Sequence, residues 1–378
     1  MISNIYIKNY KILDEVDLPL SNLNLITGKN SVGKSSLIQV LLLLRQSFEQ
    51  NTLLENGLRL TGDYINVGKG KDILTYGTTE DLFHFALSWE NGDQLNVLYN
   101  YISNSDLQKG KPHKNQGSNL STQQLRTKSL FNKNFTYLAA ERVAPDQTHR
   151  VSDYYINTLN SIGIKGEYTT HFLAQNETKP IKNKALLYPK SVNDELLSQV
   201  NLWMSEICEG IKISANIIEE IDYAVLAYEF KTKEGYTDKF KPQNVGFGLT
   251  YVLPVITAIL ASSPNDIILI ENPESHLAPA GQSALGKLLS LAAQSGVQLF
   301  IETHSDHILN GIRVAVHKQQ LTKENVSIFY FSKDESLEKH SIDIITPFLD
   351  SNGRLDEWPK GFFDEWENKL DELLDSPT

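Results

Sequence analysis

Cysteine is almost missing from this 378-residue chain: Cys208 stands alone, so no internal disulfide can form, which suits a reducing compartment. Long apolar runs are missing as well. The longest, such as LTYVLPVITAIL, fall well short of the roughly 20 residues that cross a bilayer. The opening segment, MISNIYIKNYKILDEV, is too charged for a secretory leader. These absences predict a cytoplasmic protein with no membrane partner. Basic charge is also in deficit. A net charge of −11 excludes a chain that coats nucleic acid with its whole surface. No sequence repeat is visible, and no heptad run is long enough for a coiled coil.

What charge there is lies unevenly. From Asp334 onward, 4 Lys and Arg face 13 Asp and Glu. Residues 101–134 invert that balance, with six basic residues, one acid and many Asn, Gln and Ser. This composition predicts a solvated insertion; the sharper alternative is a basic loop for phosphate backbone, and so for DNA. In the acidic tail, Phe363, Trp366, Leu370 and Leu373 recur at helical spacing. Such a stripe either packs on its own domain or docks a partner.

The organisation begins with an alternating strand over residues 2–7 and a compact buried strand, LNLIT, at 23–27. A glycine-rich turn leads into SSLIQVLLLLRQSF, a helix apolar on most sides. LFHFALSWENGDQLNVLYNYI reads as a hairpin turning at Asn91-Gly92, and 223–241 as a second one turning at Gly235. DELLSQVNLWMSEICEG is an amphipathic helix stopped by glycine. From residue 250 on, apolar helices alternate with the strands DIILI and VQLFIE. That rhythm predicts a parallel sheet flanked by helices.

Four short stretches carry chemistry. GKNSVGKSS (28–36) has the spacing G-x-x-x-x-G-K-S. Gly28 and Gly33 free the backbone to cradle phosphate, Lys34 is placed for the β- and γ-phosphates and Ser35 for Mg2+, with Asn30 and Ser36 completing the nucleotide-facing set. DIILIENPES delivers Glu271 at the end of an aliphatic strand, where a carboxylate can hold the metal. The next residue, Asn272, is an amide without useful basicity; it can orient a water but cannot take its proton. Glu274 is the nearest carboxylate able to act as general base. NVGFGLTYVLP sets Gly246, Gly248 and Thr250 at a helix start, and ETHSDH sets His304 after the following strand.

The order phosphate loop, glycine-rich helix start, acid strand and histidine is that of ABC-type ATPases. The motifs resemble the branch holding the RecF, SMC and OLD families. More closely, they are similar to small stand-alone bacterial members with a C-terminal domain of unknown function. Segments carrying the likeness run from NYKILDEVDLPL through YLAAERVAP, IENPESHLAPAGQ and ETHSDHILNGIRVAV to DSNGRLDEWPKGFFDEW. The resemblance implies an α/β P-loop fold of ABC-head type with an added antiparallel β subdomain. The head would span 1–315, with 101–134 inserted and a helical and hairpin lobe at 150–241, and an acidic C-terminal domain would span 316–378. It also implies ATP and Mg2+ as ligands, His304 as a switch residue, and a homodimer or higher oligomer that sandwiches ATP, with Gly246, Gly248 and Thr250 of one subunit capping the nucleotide of the other. Arg142 matches a family arginine that pairs either with phosphate or with an acid. One departure is Ala278, where the family's H-L-H-P has its second histidine. No coiled-coil arm and no nuclease acid triad is present, so any effector would be a separate protein, expected from a neighbouring gene. The expected function is a slow ATPase switch in defence against phage or plasmid DNA. The alternatives are a RecF-like DNA-binding ATPase of repair and a nearly inactive ATP sensor.

Overall fold

The computed structural model describes residues 1–112, 120–189, 191–333 and 342–374. Its centre is a six-stranded sheet in the order Ile342–Ile345, Val326–Lys333, Leu23–Gly28, Gln298–Glu302, Ile267–Glu271 and Phe135–Leu138. All neighbours are parallel except the first pair. Parallel strands buried on both faces read as continuous aliphatic runs, and IILIE and QLFIE are such runs.

Because side chains alternate along a strand, this sheet feeds two cores. Ile26, Ile267, Leu269, Phe300 and Phe329 face one side. There they meet the helix Lys34–Glu49 and, beyond it, an antiparallel sheet built on Ile2–Tyr10, Leu82–Trp89 and Gln94–Asn100. Leu25, Ile268, Ile270, Leu299 and Ile301 face the other side. The helices Phe247–Ala261, Pro279–Gln294 and Asp306–His317 cover them. The Lys34–Glu49 helix lies between two sheets, which is why Leu37 to Leu44 are buried with only Gln39 spared. Among the described residues, no helix is long and apolar enough to cross a membrane.

Several expectations change. The hairpin at 223–241 forms around Gly235, pairing Lys231 with Tyr236, Thr232 with Gly235 and, past an irregular stretch, Tyr228 with Phe240. The main partner of Tyr223–Thr232 is Ile211–Ile218, whose buried Ile211, Ile213 and Ala215 alternate too faintly to announce a strand. The 101–134 segment is anchored rather than merely solvated. Gly110–Pro112 joins the antiparallel sheet, and Leu120, Leu125, Leu130 and Phe131 enter the core. Its stretch 113–119 lies outside the described residues. The central sheet also draws a strand from beyond residue 316, because Val326–Lys333 pairs directly with the phosphate-loop strand. In the tail, Phe362 is fully buried and Phe363 packs on the core. Trp366 and Leu373 remain 73% and 80% exposed, so the rest of the stripe does not pack on its own domain.

Candidate functional site

Two glycines shape the loop after Leu23–Gly28. At Gly28, with φ 141°, a Cβ would lie 2.2 Å from the Phe331 carbonyl oxygen. At Gly33, with φ 86°, it would lie 2.3 Å from Ile12 Cγ2. Only glycine meets both the backbone angle and the space. Gly33 then serves as the cap of Lys34–Glu49 without a side-chain hydrogen bond, leaving that helix N-terminus open to an anion. Lys34 is buried, and its ammonium donates to the carbonyls of Gly28 and Lys29 at 2.9 and 2.6 Å. Burial lowers its pKa, opposed by the nearby Glu302 charge. Ser36 is buried behind the loop, while Asn30 is exposed on it.

Glu271 ends its strand where expected. Tyr137 donates a hydrogen bond to its carboxylate at 3.0 Å, and burial raises its pKa. The acid that touches the phosphate loop is a different one. Ser35 Oγ donates to Glu302 Oε1 at 3.0 Å. Glu302 is paired in register with Glu271 on the neighbouring parallel strand. Phe300 and Leu269, two residues earlier on each strand, face the Lys34–Glu49 helix. The strand period therefore turns both carboxylates toward the start of that helix. Burial first, then the Glu271 charge, pushes the Glu302 carboxyl up to about 7. Sequence reading passed over Glu302, although an acid ending a second buried strand was the available signal.

The turn after Glu271 holds the other predicted residues. Asn272 has φ 44°, a left-handed conformation that asparagine tolerates better than glutamate. Its Oδ1 is buried without a partner. Glu274 Oε1 accepts the His304 backbone N–H at 2.8 Å, tying this turn to the histidine loop, and its Oε2 has no partner. His304 itself is exposed and lines a cavity of about 350 Å³ with Thr27, Gly28 and Lys29. Partial burial, and then the Lys34 charge, lowers the pKa of its imidazole. Tyr330, Gly361 and Asp364 close the far side of that cavity, so the C-terminal segment reaches the rim of the phosphate loop.

Arg142 is hydrogen-bonded to backbone rather than to a carboxylate. Its guanidinium donates to the backbone carbonyls of Glu271 at 2.7 Å and Asn272 at 3.2 Å. It holds the turn itself, and burial lowers its pKa to about 10. At the glycine-rich start, Gly246 is exposed and caps Phe247–Ala261, and Phe247 is also exposed. Gly248 packs on the 272–278 turn, where a Cβ would lie 2.3 Å from the His276 carbonyl oxygen. Thr250 is 3% exposed and its hydroxyl has no partner. Gly246 and Phe247 thus form the outward edge, and Thr250 faces the interior. Ala278 opens Pro279–Gln294 as its N-cap, with no side-chain cap bond.

Among the described residues, no group of three or more His, Cys, Asp or Glu side chains is placed to hold a metal ion. A hard cation here would need oxygens from a nucleotide and from water, the usual coordination of Mg2+. The open helix end and the unpartnered oxygens of Asn272, Glu274 and Glu302 fit such a ligand pair.

A family model described as "AAA domain, putative AbiEii toxin, Type IV TA system" matches residues 23–310. The chain belongs to this family. A second model, for a protein of unknown function (DUF3696), matches residues 321–373, so an ATPase-type domain of the AAA family continues into a C-terminal region of unassigned role. Among solved structures, the SMC head bound to the C-winged helix domain of ScpA is 12% identical, with a TM-score of 0.56 over 92% of this chain and 98% of that one. An SMC head with an extended coiled coil, bound to the C-terminal domain of ScpA derived from Pyrococcus furiosus, gives 12%, 0.51, 99% and 99%. Likeness at this identity is of fold: a mixed sheet flanked by helices, as the motif order had implied. No curated protein matches.

Proposed function

We propose that this protein binds ATP with Mg2+, hydrolyses it slowly, and works in the cytoplasm as a dimeric switch on a partner effector in defence against phage or plasmid DNA. What supports the catalytic part is that Ser35 of the loop meets Glu302, which lies within reach of the Lys34, Glu271 and Glu274 charges, and that Glu274 accepts the His304 backbone N–H. Lys34 and the helix N-terminus hold the β- and γ-phosphates. Ser35 and Glu271 hold the cation, which supplies charge neutralisation at the transferring phosphoryl group. Glu274, with one oxygen engaged by His304 and one free, takes the proton of the attacking water, and Asn272 orients that water. His304 reports the state of the γ-phosphate. Phosphoryl transfer rests mainly on positioning and charge, so a single half-committed base is consistent with slow turnover.

The exposed edge formed by Gly246 and Phe247 supports a sandwich in which each subunit caps the other's nucleotide. Thr250 lies behind that edge. The effector reading draws on the family's description, which refers to a toxin–antitoxin system, and on the ScpA domain bound by the structural neighbours. DNA as a partner of 101–134 is the weaker reading. Lys128, one of its basic residues, pairs with Asp93 and lies over the Trp89 ring.

The test is turnover of the purified protein, with light scattering in ATP. Slow hydrolysis lost in Lys34→Ala, a marked fall in Glu274→Gln and an ATP-dependent doubling of mass are expected. Unchanged turnover in Glu274→Gln would remove the base assignment. Binding without turnover would favour the nearly inactive sensor. Tight, salt-sensitive duplex binding lost on deleting 101–134 would favour the DNA-binding reading.

A further inference from the structure

We propose that Glu302 is a ligand-side carboxylate of the cation site, facing Glu271 across it and using Ser35 as the shared hydroxyl. The inference rests on the site being a Mg2+–nucleotide site. Three observations point to it. Glu302 is 7% exposed, and its Oε2 has no hydrogen-bond partner although its Oε1 takes the Ser35 hydroxyl. Its strand neighbour in register is Glu271, and adjacent strands lie only about 4.8 Å apart. The basic side chains nearby act on the two acids only through space: Lys34 donates its hydrogen bonds to Gly28 and Lys29, and Arg142 to Glu271 and Asn272, in each case to backbone carbonyls.

Burying a carboxylate with an empty oxygen next to a second carboxylate is costly unless a cation neutralises both. A role confined to holding Ser35 would need one oxygen and no charge, and a glutamine would do it equally well. Glu302 also restores an acid to the site. The position after Glu271 is an amide held in a left-handed turn, and the second carboxylate comes instead from the neighbouring strand, two residues before His304. The cation would thus be gripped from two strands of the sheet, with phosphate oxygens and water completing its shell.

The experiment measures cation dependence directly, without turnover. A fluorescent, non-hydrolysable ATP analogue is titrated into wild type, Glu302→Gln, Glu302→Asp and Lys34→Ala, each in EDTA and in Mg2+. Mn2+ uptake in the presence of the analogue is followed by electron paramagnetic resonance. Wild type should show a cation-dependent gain in nucleotide affinity. Glu302→Gln should lose about tenfold or more of that gain, in line with the cost of altering a metal's ligand shell, while its affinity in EDTA should not fall, because the substitution removes a negative charge from beside the phosphates. Glu302→Asp, which keeps the charge, should retain part of the gain, and it also serves if Glu302→Gln does not fold. Full retention of the gain and of Mn2+ uptake in Glu302→Gln would overturn the assignment while leaving the nucleotide site intact. Absence of Lys34-dependent binding in wild type would overturn the nucleotide reading, and Glu302's role with it.

Discussion

The ends of the two central strands and the helix Glu365–Leu374 break opposite rules of protein architecture. At the strand ends, polar oxygens are buried and left empty: Asn272, Glu274 and Glu302 each keep one unpartnered atom. On the helix, apolar groups are left in water, with Trp366, Leu373 and Leu374 at 73, 80 and 82% exposure. Both are expensive, but differently. An unpaired buried carboxylate costs kilocalories and needs a charged or hydrogen-bonding ligand. An exposed leucine costs little singly. The contrast teaches that the strands beneath the sheet edge hold polar oxygens in place without partners, whereas the tail leaves apolar groups in water at little cost.

Removing the support under the strand ends should have the largest effect. Arg142→Ala leaves two buried carbonyls without their donor and should destabilise the protein by about 3 kcal/mol, seen as a lower midpoint in urea. Arg142→Lys should recover only part of this, because an ammonium lacks the planar fork. An unchanged midpoint in Arg142→Ala would show that the turn holds itself.

Next in size is a dependence on pH. The Glu302 carboxyl is raised from 4.5 to about 7 in the folded state. The folded protein therefore binds this proton more tightly than the unfolded chain. Stability from this group is fully present below pH 4.5 and is lost as pH rises through about 7, by up to about 3 kcal/mol. Melting of the nucleotide-free protein between pH 5 and 8 should show the loss, and Glu302→Gln should flatten it. A slope that survives in Glu302→Gln would place its origin elsewhere.

Asn272→Glu asks whether the left-handed turn tolerates a second acid beside Glu271. With φ at 44°, the substitution should cost about 1–2 kcal/mol, measured by urea denaturation. A neutral result would mean that the turn relaxes. The smallest effect belongs to the tail. Leu373→Ser should shift stability by less than about 0.5 kcal/mol, and a larger loss would show that the exposed stripe is covered in solution.

Much of this was readable in the residues. The phosphate loop carries its own signature, because two glycines and a lysine at fixed spacing are demanded by local backbone geometry. IILIE announces a buried parallel strand, since only apolar side chains survive on both faces of such a sheet. The hairpin at Asn91-Gly92 is equally local. Harder to see were contacts made between distant segments. Arg142 meets Glu271 across 129 positions and Ser35 meets Glu302 across 267, and no periodicity records such distances. The faint strand at Ile211–Ile218 was hidden for a related reason, as its pairing is decided by the partner it finds.

By itself, then, the sequence determined a nucleotide loop, an acid-ended strand and the α/β order that joins them, because each depends on neighbours a few residues away. Tertiary structure alone decided which acid meets the phosphate loop. Glu271 was expected to hold the metal, and the strand ending in Glu302 lies between it and the loop strand. Strand order and the two-residue alternation of side chains, both products of how the sheet assembles, put Glu302 in contact with Ser35.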